Sequence, residues 1–266
     1  PMLRVGLATL VRERGKFGEA VREWRAVLLG MPHVAEWRSQ LAFALADEAA
    51  TSQPPDSAKL AEAERLLREV ATEEPGLPAV HVNLGNVLER LGRPDEAMTA
   101  YREALRLDAG HDVARLNLAA LHVARGAADE AERAYREAID ADPQAAEAHA
   151  RLAALLERRK DLDGAVTEYG RAVALDPDLA WARNNFGYAL ERRGDSPGAI
   201  EQYLAAAASD PDYTLARLNL ANLLLQQGRT AEATRAFQEV LTIARARQDA
   251  KLVAAMEDQL RRLRGR

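Results

Sequence analysis

The 266-residue sequence predicts an all-α protein, a solenoid of seven helix pairs with a closing C-terminal helix, and three recurrences carry that prediction. An alanine returns every 34 residues at Ala97, Ala131, Ala165, Ala199 and Ala233, and Ala20 and Ala63 hold the same phase nearer the N-terminus. Four residues later stands a large side chain each time: Trp24, Leu67, Tyr101, Tyr135, Tyr169, Tyr203 and Phe237. Glycine and proline punctuate the period, with Gly15, Gly92, Gly126, Gly194 and Gly228 in one phase and Pro32, Pro75, Pro143, Pro177 and Pro211 in another.

Numbering each unit so that the recurrent alanine is position 20 assigns the elements in turn. Position 7 is Leu7, Leu41, Leu84, Leu118, Leu152, Phe186 or Leu220, and position 8 is only Ala or Gly. The first helix of a unit, helix A, therefore buries a large residue beside a small one that lets a neighbour approach. Glycine at position 15 ends it. In the second helix, B, positions 20, 24 and 27 share one face, the last being Val27, Val70, Ala104, Ala138, Ala172, Ala206 and Val240. Proline at position 32 then stops helix B before the next helix A. The units are expected at 1–34, 35–77, 78–111, 112–145, 146–179, 180–213 and 214–247, with a capping helix and basic tail over 248–266.

Two units depart from the pattern. In the second, Ala63, Leu67 and Pro75 fall nine residues late relative to Leu41 and Ala42, which places the excess between its helices. The polar segment 47–57, with Pro54 and Pro55, reads as a long loop, either a tolerated insertion or a partner contact. The last unit has Arg245 in the place of proline and runs on toward Leu260 and Leu263. The polar side of that closing helix is expected to cover the end of the stack. No comparable helix precedes the first unit, so the N-terminal end is expected to be bare unless a further repeat or domain precedes it.

Composition narrows the function classes. The chain is 48% hydrophobic and 29% charged, the profile of a long helical protein rather than a disordered one. Its 36 basic and 41 acidic residues are interspersed and net to -5, which argues against generic nucleic-acid binding. The absence of cysteine excludes disulfides, thiolate metal sites and a cysteine nucleophile, and leaves the compartment open. There is no apolar run long enough to span a membrane, and Pro1-Met2-Leu3-Arg4 lacks the order of a signal peptide. A start on Pro1 suggests an excised portion and leaves open a targeting segment or neighbouring domain outside it, with the cytoplasm as the default expectation.

Leu-Ala/Gly at positions 7 and 8, Ala at 20, an aromatic at 24, Ala at 27 and Pro at 32 together resemble the tetratricopeptide repeat, over nearly the whole chain. The resemblance implies a right-handed superhelix in which the A helices line a concave groove and the B helices lie outside. It implies a noncatalytic scaffold that captures a segment of a partner protein in that groove. The alternatives are a targeting or regulatory domain of a larger enzyme and a structural subunit that self-associates into a homo-oligomer.

Positions 2, 5, 6, 9, 12 and 13 of helix A are expected to line the groove. Position 6 holds Gly6, Gln40, Asn83, Asn117, Arg151, Asn185 and Asn219. Asparagine is a poor helix former, so four in one phase need another explanation. A side-chain amide offers both a donor and an acceptor, which suits an extended peptide backbone. Asn86 and Asn222 at position 9 and Asn184 at position 5 broaden the row, which is similar to the asparagine ladder of the O-linked N-acetylglucosamine transferase repeats. The alternative is that these amides tie neighbouring repeats together. Family members that clamp the acidic tails of heat-shock chaperones use five polar positions, and Asn86, Asn117 and Arg151 match three of them. Val82 and Glu147 stand where lysines should be, which puts a clamp in doubt. Trp181, Tyr188 and Phe43 set aromatics on the same face, either as partner anchors or as packing between A helices. The paired charges at positions 12 and 13, among them Glu157, Arg158, Glu191 and Arg192, read as solvated helix ends.

Chemistry finds little foothold. His33, His81, His111, His122 and His149 are the only histidines, and no HExxH motif or phosphate-binding glycine loop accompanies them. His81 and His149 share position 4 and are expected to be structural; His122 is the one that could approach His149 across adjacent helices. No catalytic residue, metal or cofactor is expected.

Overall fold

The computed structural model describes residues 2–264; Pro1 and residues 265–266, the end of the expected basic tail, lie outside them. The described residues form fifteen α-helices and no strand. They divide into two compact units, Pro1–Ala134 and Tyr135–Arg266. The first contains α1 (Met2–Glu13), α2 (Phe17–Gly30), α3 (Ala35–Ala50), α4 (Ser57–Glu73), α5 (Pro78–Arg90), α6 (Pro94–Leu107) and α7 (Asp112–Ala124). The division falls within α8 (Ala128–Ala141). The second continues with α9 (Ala146–Arg158), α10 (Leu162–Leu175), α11 (Ala180–Arg193), α12 (Ser196–Ser209), α13 (Thr214–Gln226), α14 (Thr230–Ala246) and α15 (Ala250–Arg264).

Each unit is a stack of helices in which every element packs on the next in sequence, from α1 to α7 in one and from α9 to α15 in the other. Position 24 is the knob that makes this possible. Trp24, Leu67 and Tyr101 in the first unit and Tyr169, Tyr203 and Phe237 in the second are all 2% exposed or less. The alanines four residues before them are fully buried, because a larger residue there would hold the two helices of a hairpin apart. Gly187 shows how tight the approach is: a Cβ would lie 2.8 Å from two carbons of the Tyr203 ring and 3.1 Å from the Ala199 carbonyl. Gly85 meets the Tyr101 ring in the same way.

The turns follow from the punctuation. Gly15, Gly92, Gly126, Gly194 and Gly228 all have φ between 72° and 90°, the left-handed conformation in which glycine escapes a Cβ clash. Lys160 occupies the same position and is forced to φ 68°. A second device closes the turns between hairpins. The position-4 side chain reaches back to a carbonyl six residues earlier: His81 Nε2 lies 3.3 Å from Pro75 O, His149 Nε2 3.3 Å from Pro143 O, and Arg217 Nη1 donates to Pro211 O at 2.9 Å. His149 also meets Glu168 at 2.6 Å through Nδ1, so both ring nitrogens are engaged in structural contacts.

The expected 47–57 loop is shorter than the sequence suggests. Helix α3 runs on to Ala50, because Ala46 and Ala49 are buried and Asp47 accepts from Arg12 at 3.0 Å and from Arg90 at 3.5 Å. Only residues 51–56 connect the helices, and the Asp56 carboxylate caps α4 through the amides of Ala58 and Lys59. At the other end, the missing proline lets α14 extend to Ala246. The Asp249 carboxylate then caps the start of α15 by accepting from the Leu252 amide, and α15 buries Met256 and Leu260.

Candidate functional site

Packing directs the remaining faces of the A helices away from the knobs, and there the asparagines divide into two kinds. In the first unit, Asn117 Nδ2 of α7 donates to Asn86 Oδ1 of α5 at 2.9 Å. The Tyr101 hydroxyl lies 2.7 Å from that same oxygen and 2.5 Å from Glu89 Oε1. In the second, Asn219 Nδ2 of α13 donates to Asn184 Oδ1 of α11 at 2.9 Å, and Asn184 Nδ2 donates to Asn185 Oδ1 at 3.1 Å. Asn184 is 2% exposed and presents no surface. These amides join successive A helices, the second of the two roles considered for the row.

Other members of the row keep hydrogen-bonding capacity. Asn83 and Asn185 are half-buried and Asn222 exposed, and Asn185 accepts from Asn184 with its oxygen. Tyr188 is 44% exposed on α11, and Asn222 holds the same register position on α13, which packs against α11. The Arg192 guanidinium sits 5.8 Å from the Tyr188 ring centroid and 3.4 Å from Glu157 of α9. Glu157 is largely buried; burial raises its pKa above the ordinary carboxylate value, and Arg192 only partly opposes that. The Tyr169 hydroxyl is buried without a hydrogen bond, and burial pushes its pKa upward, as it does for Tyr203, whose hydroxyl donates to Glu191 at 2.9 Å. Trp181 is half-buried at the start of α11.

Reading positions 12 and 13 as solvated helix ends therefore missed three roles. Glu89 and Glu191 accept from the knob tyrosines, and Glu157 pairs with the next A helix. Their signal in the sequence is the fixed 12-residue offset between Glu and Tyr in both hairpins. Phe43, considered as an anchor, lies under the Arg12 guanidinium at 3.8 Å. The chaperone-clamp pattern weakens further. Val82 is 4% exposed, Arg151 is held by Glu147 at 2.7 Å, and Asn86 and Asn117 are bonded to each other.

Elsewhere, a cavity of about 700 Å³ opens between α4, α5 and α6, with Leu84 and Leu88 lining it. Arg68 and Arg106 at its edge are paired with Glu64 and Glu103, so its charges are largely satisfied from within. Among the described residues, no group of three or more His, Asp or Glu is placed to hold a metal, and no helix is long and apolar enough to cross a membrane.

Stacked helix hairpins with small-residue contacts, glycine turns and a polar A-helix face define a helical repeat protein. Profiles of the tetratricopeptide repeat match residues 90–155, and residues 56–112 and 184–250; a further TPR profile matches 158–194. The chain belongs to the tetratricopeptide repeat family. A search of curated proteins finds no match. Among solved structures, yeast Tom70 is 19% identical with a TM-score of 0.67, over 93% of this chain and 59% of that one. MamA is 22% identical with a TM-score of 0.55, over 62% of this chain and 97% of that one. YrrB, described as a TPR protein with an unusual peptide-binding site, is 20% identical with a TM-score of 0.50, over 72% of this chain and 97% of that one. At these identities the likeness is one of fold.

Proposed function

We propose that the chain is a noncatalytic interaction scaffold whose repeats, in the register 1–34 through 214–247, hold a segment of a partner protein on the A-helix face. The observation that carries this reading is Tyr188, a large aromatic left 44% exposed on a face where exposed Asn222 and Arg192 and half-buried Asn185 supply polar groups. An aromatic anchor ringed by donors and acceptors suits an extended peptide, whose main chain needs both. YrrB's description as a peptide-binding TPR protein supports the same role for the fold. Within the second unit Arg151 is a further contact of this face and Trp181 a second aromatic one; in the first unit Asn83 holds the position equivalent to Asn185. Asn86, Asn117, Asn184 and Asn219 act beneath it by fixing the spacing of the A helices. Many moderate contacts of this kind give affinities on the order of micromolar.

The test is capture from source-cell lysate with the intact chain beside a variant carrying Asn185→Ala, Tyr188→Ala and Asn222→Ala, matched for helicity. A partner retained by the intact chain and lost by the variant supports the A-helix face. The same partner retained equally by both moves the site elsewhere.

A further inference from the structure

Positions 2, 6, 9 and 13 of helix A fall four, three and four residues apart, so they form one stripe along the helix. In the second unit α11 packs on both α9 and α13, which sets three such stripes side by side. Their chemistry changes from end to end. At position 2, Trp181 is half-buried and Leu215 is 46% exposed, so the N-terminal ends of α11 and α13 are apolar. The amides and Tyr188 follow at positions 6 and 9. At position 13, the far end, Arg158 of α9 and Arg192 of α11 are exposed.

The acids near that far end are already engaged. Glu157 lies largely buried against Arg192, and Glu191 accepts from the Tyr203 hydroxyl. In the turns that follow, Asp161 and Asp195 accept from the Gly164 and Gly198 amides, and Asp163 faces Arg193 at 3.9 Å. Arg158 makes no ion pair among the described residues, and Arg192 spends only Nη1 on Glu157, at 3.4 Å. A guanidinium carries five N–H donors, so most of the donors of this pair stay open. The one acid on the three stripes, Glu147, stands at the opposite, apolar end, where Arg151 holds it at 2.7 Å.

We propose that Arg158 and Arg192 form a carboxylate receptor, and that the partner segment places an aspartate or glutamate there and an apolar side chain at Trp181 and Leu215. The inference rests on the reading of this face as a peptide-binding surface and names the chemistry of its partner. Charge fixes the orientation: the guanidinium forks attract a carboxylate, and Glu147 repels one from the other end. Length fixes the spacing. Eleven residues of α11 separate Trp181 from Arg192, a rise of about 16 Å. An extended segment covers that distance in about five residues.

Selection from a random-peptide library tests this. On the intact chain the expected result is enrichment of peptides with Asp or Glu about five positions from an apolar residue. Replacing that acid by its amide weakens a selected peptide about tenfold, as does Arg158→Gln with Arg192→Gln, and the two losses together do not add. Arg158→Gln alone breaks no internal ion pair and so spares the fold; it weakens the acidic peptide and leaves the amide peptide unchanged. Arg171→Gln, on α10 and away from this face, changes neither. Peptides that bind without an acidic preference, or equally to the double arginine variant, overturn the inference and leave the interaction face standing. A library that yields no binding peptide overturns both.

Discussion

Replacing Asn184 by alanine tests whether the buried amides hold the A helices together. Asn184 gives up two hydrogen bonds, its donation to Asn185 at 3.1 Å and its acceptance from Asn219 at 2.9 Å. In a site only 2% exposed, each contributes about 0.5–1.5 kcal/mol net, so the expected loss is about 1–3 kcal/mol. The half-buried Asn219 amide can recover water, which favours the middle of that range. Asn219→Ala leaves the Asn184 carbonyl oxygen buried without its donor from α13 and costs about 1 kcal/mol. Because the two changes remove the same bond, the double variant falls short of additivity by about 1 kcal/mol. Urea denaturation followed by helical circular dichroism gives the energies. Repeat arrays need not unfold in one step, so native-state hydrogen exchange on α11 and α13 locates the loss. A cost for Asn184→Ala within about 0.3 kcal/mol of zero, or strict additivity, refutes the tie.

Three further outcomes follow from the same geometry. Tyr203→Phe destabilises by about 1 kcal/mol because it deletes the bond to Glu191, whereas Tyr169→Phe is neutral or stabilising because its buried hydroxyl accepts and donates no bond there; the denaturation midpoint falls for the first variant and stays or rises for the second. Lys160→Gly relieves a left-handed backbone that glycine holds at the equivalent turns and stabilises by about 0.5–1 kcal/mol, read from the same curves. The pKa of Glu157 is raised by burial above its ordinary 4.5, so its favourable protonated state is fully present below that value and is lost as pH rises through the folded value. Glu157→Gln should therefore raise the melting temperature at pH 7 and leave it close to the intact chain's below pH 4.5, and an equal shift at both contradicts the burial argument.

The hairpins were legible because each packing need recurs in a fixed phase. Alanine at position 20, a knob at 24 and glycine at 15 report local geometry, and local geometry repeats. The extent of α3 was not legible, since polar residues and two prolines after Ala50 masked the burial of Ala46 and Ala49. The asparagine row was visible as a row, but its division into ties and open amides was not. Asn184 meets Asn219, and Glu157 meets Arg192, both 35 residues away, and the same side chain without such a neighbour faces solvent. Only the placement of the next A helix distinguishes them.

Peptide selection from a random library tests the interaction face most directly. The account predicts that the intact chain enriches peptides whose synthetic forms bind with micromolar dissociation constants, and that Asn185→Ala, Tyr188→Ala and Asn222→Ala together weaken them at least tenfold. No enrichment over protein-free support, or equal binding to that variant, would contradict it.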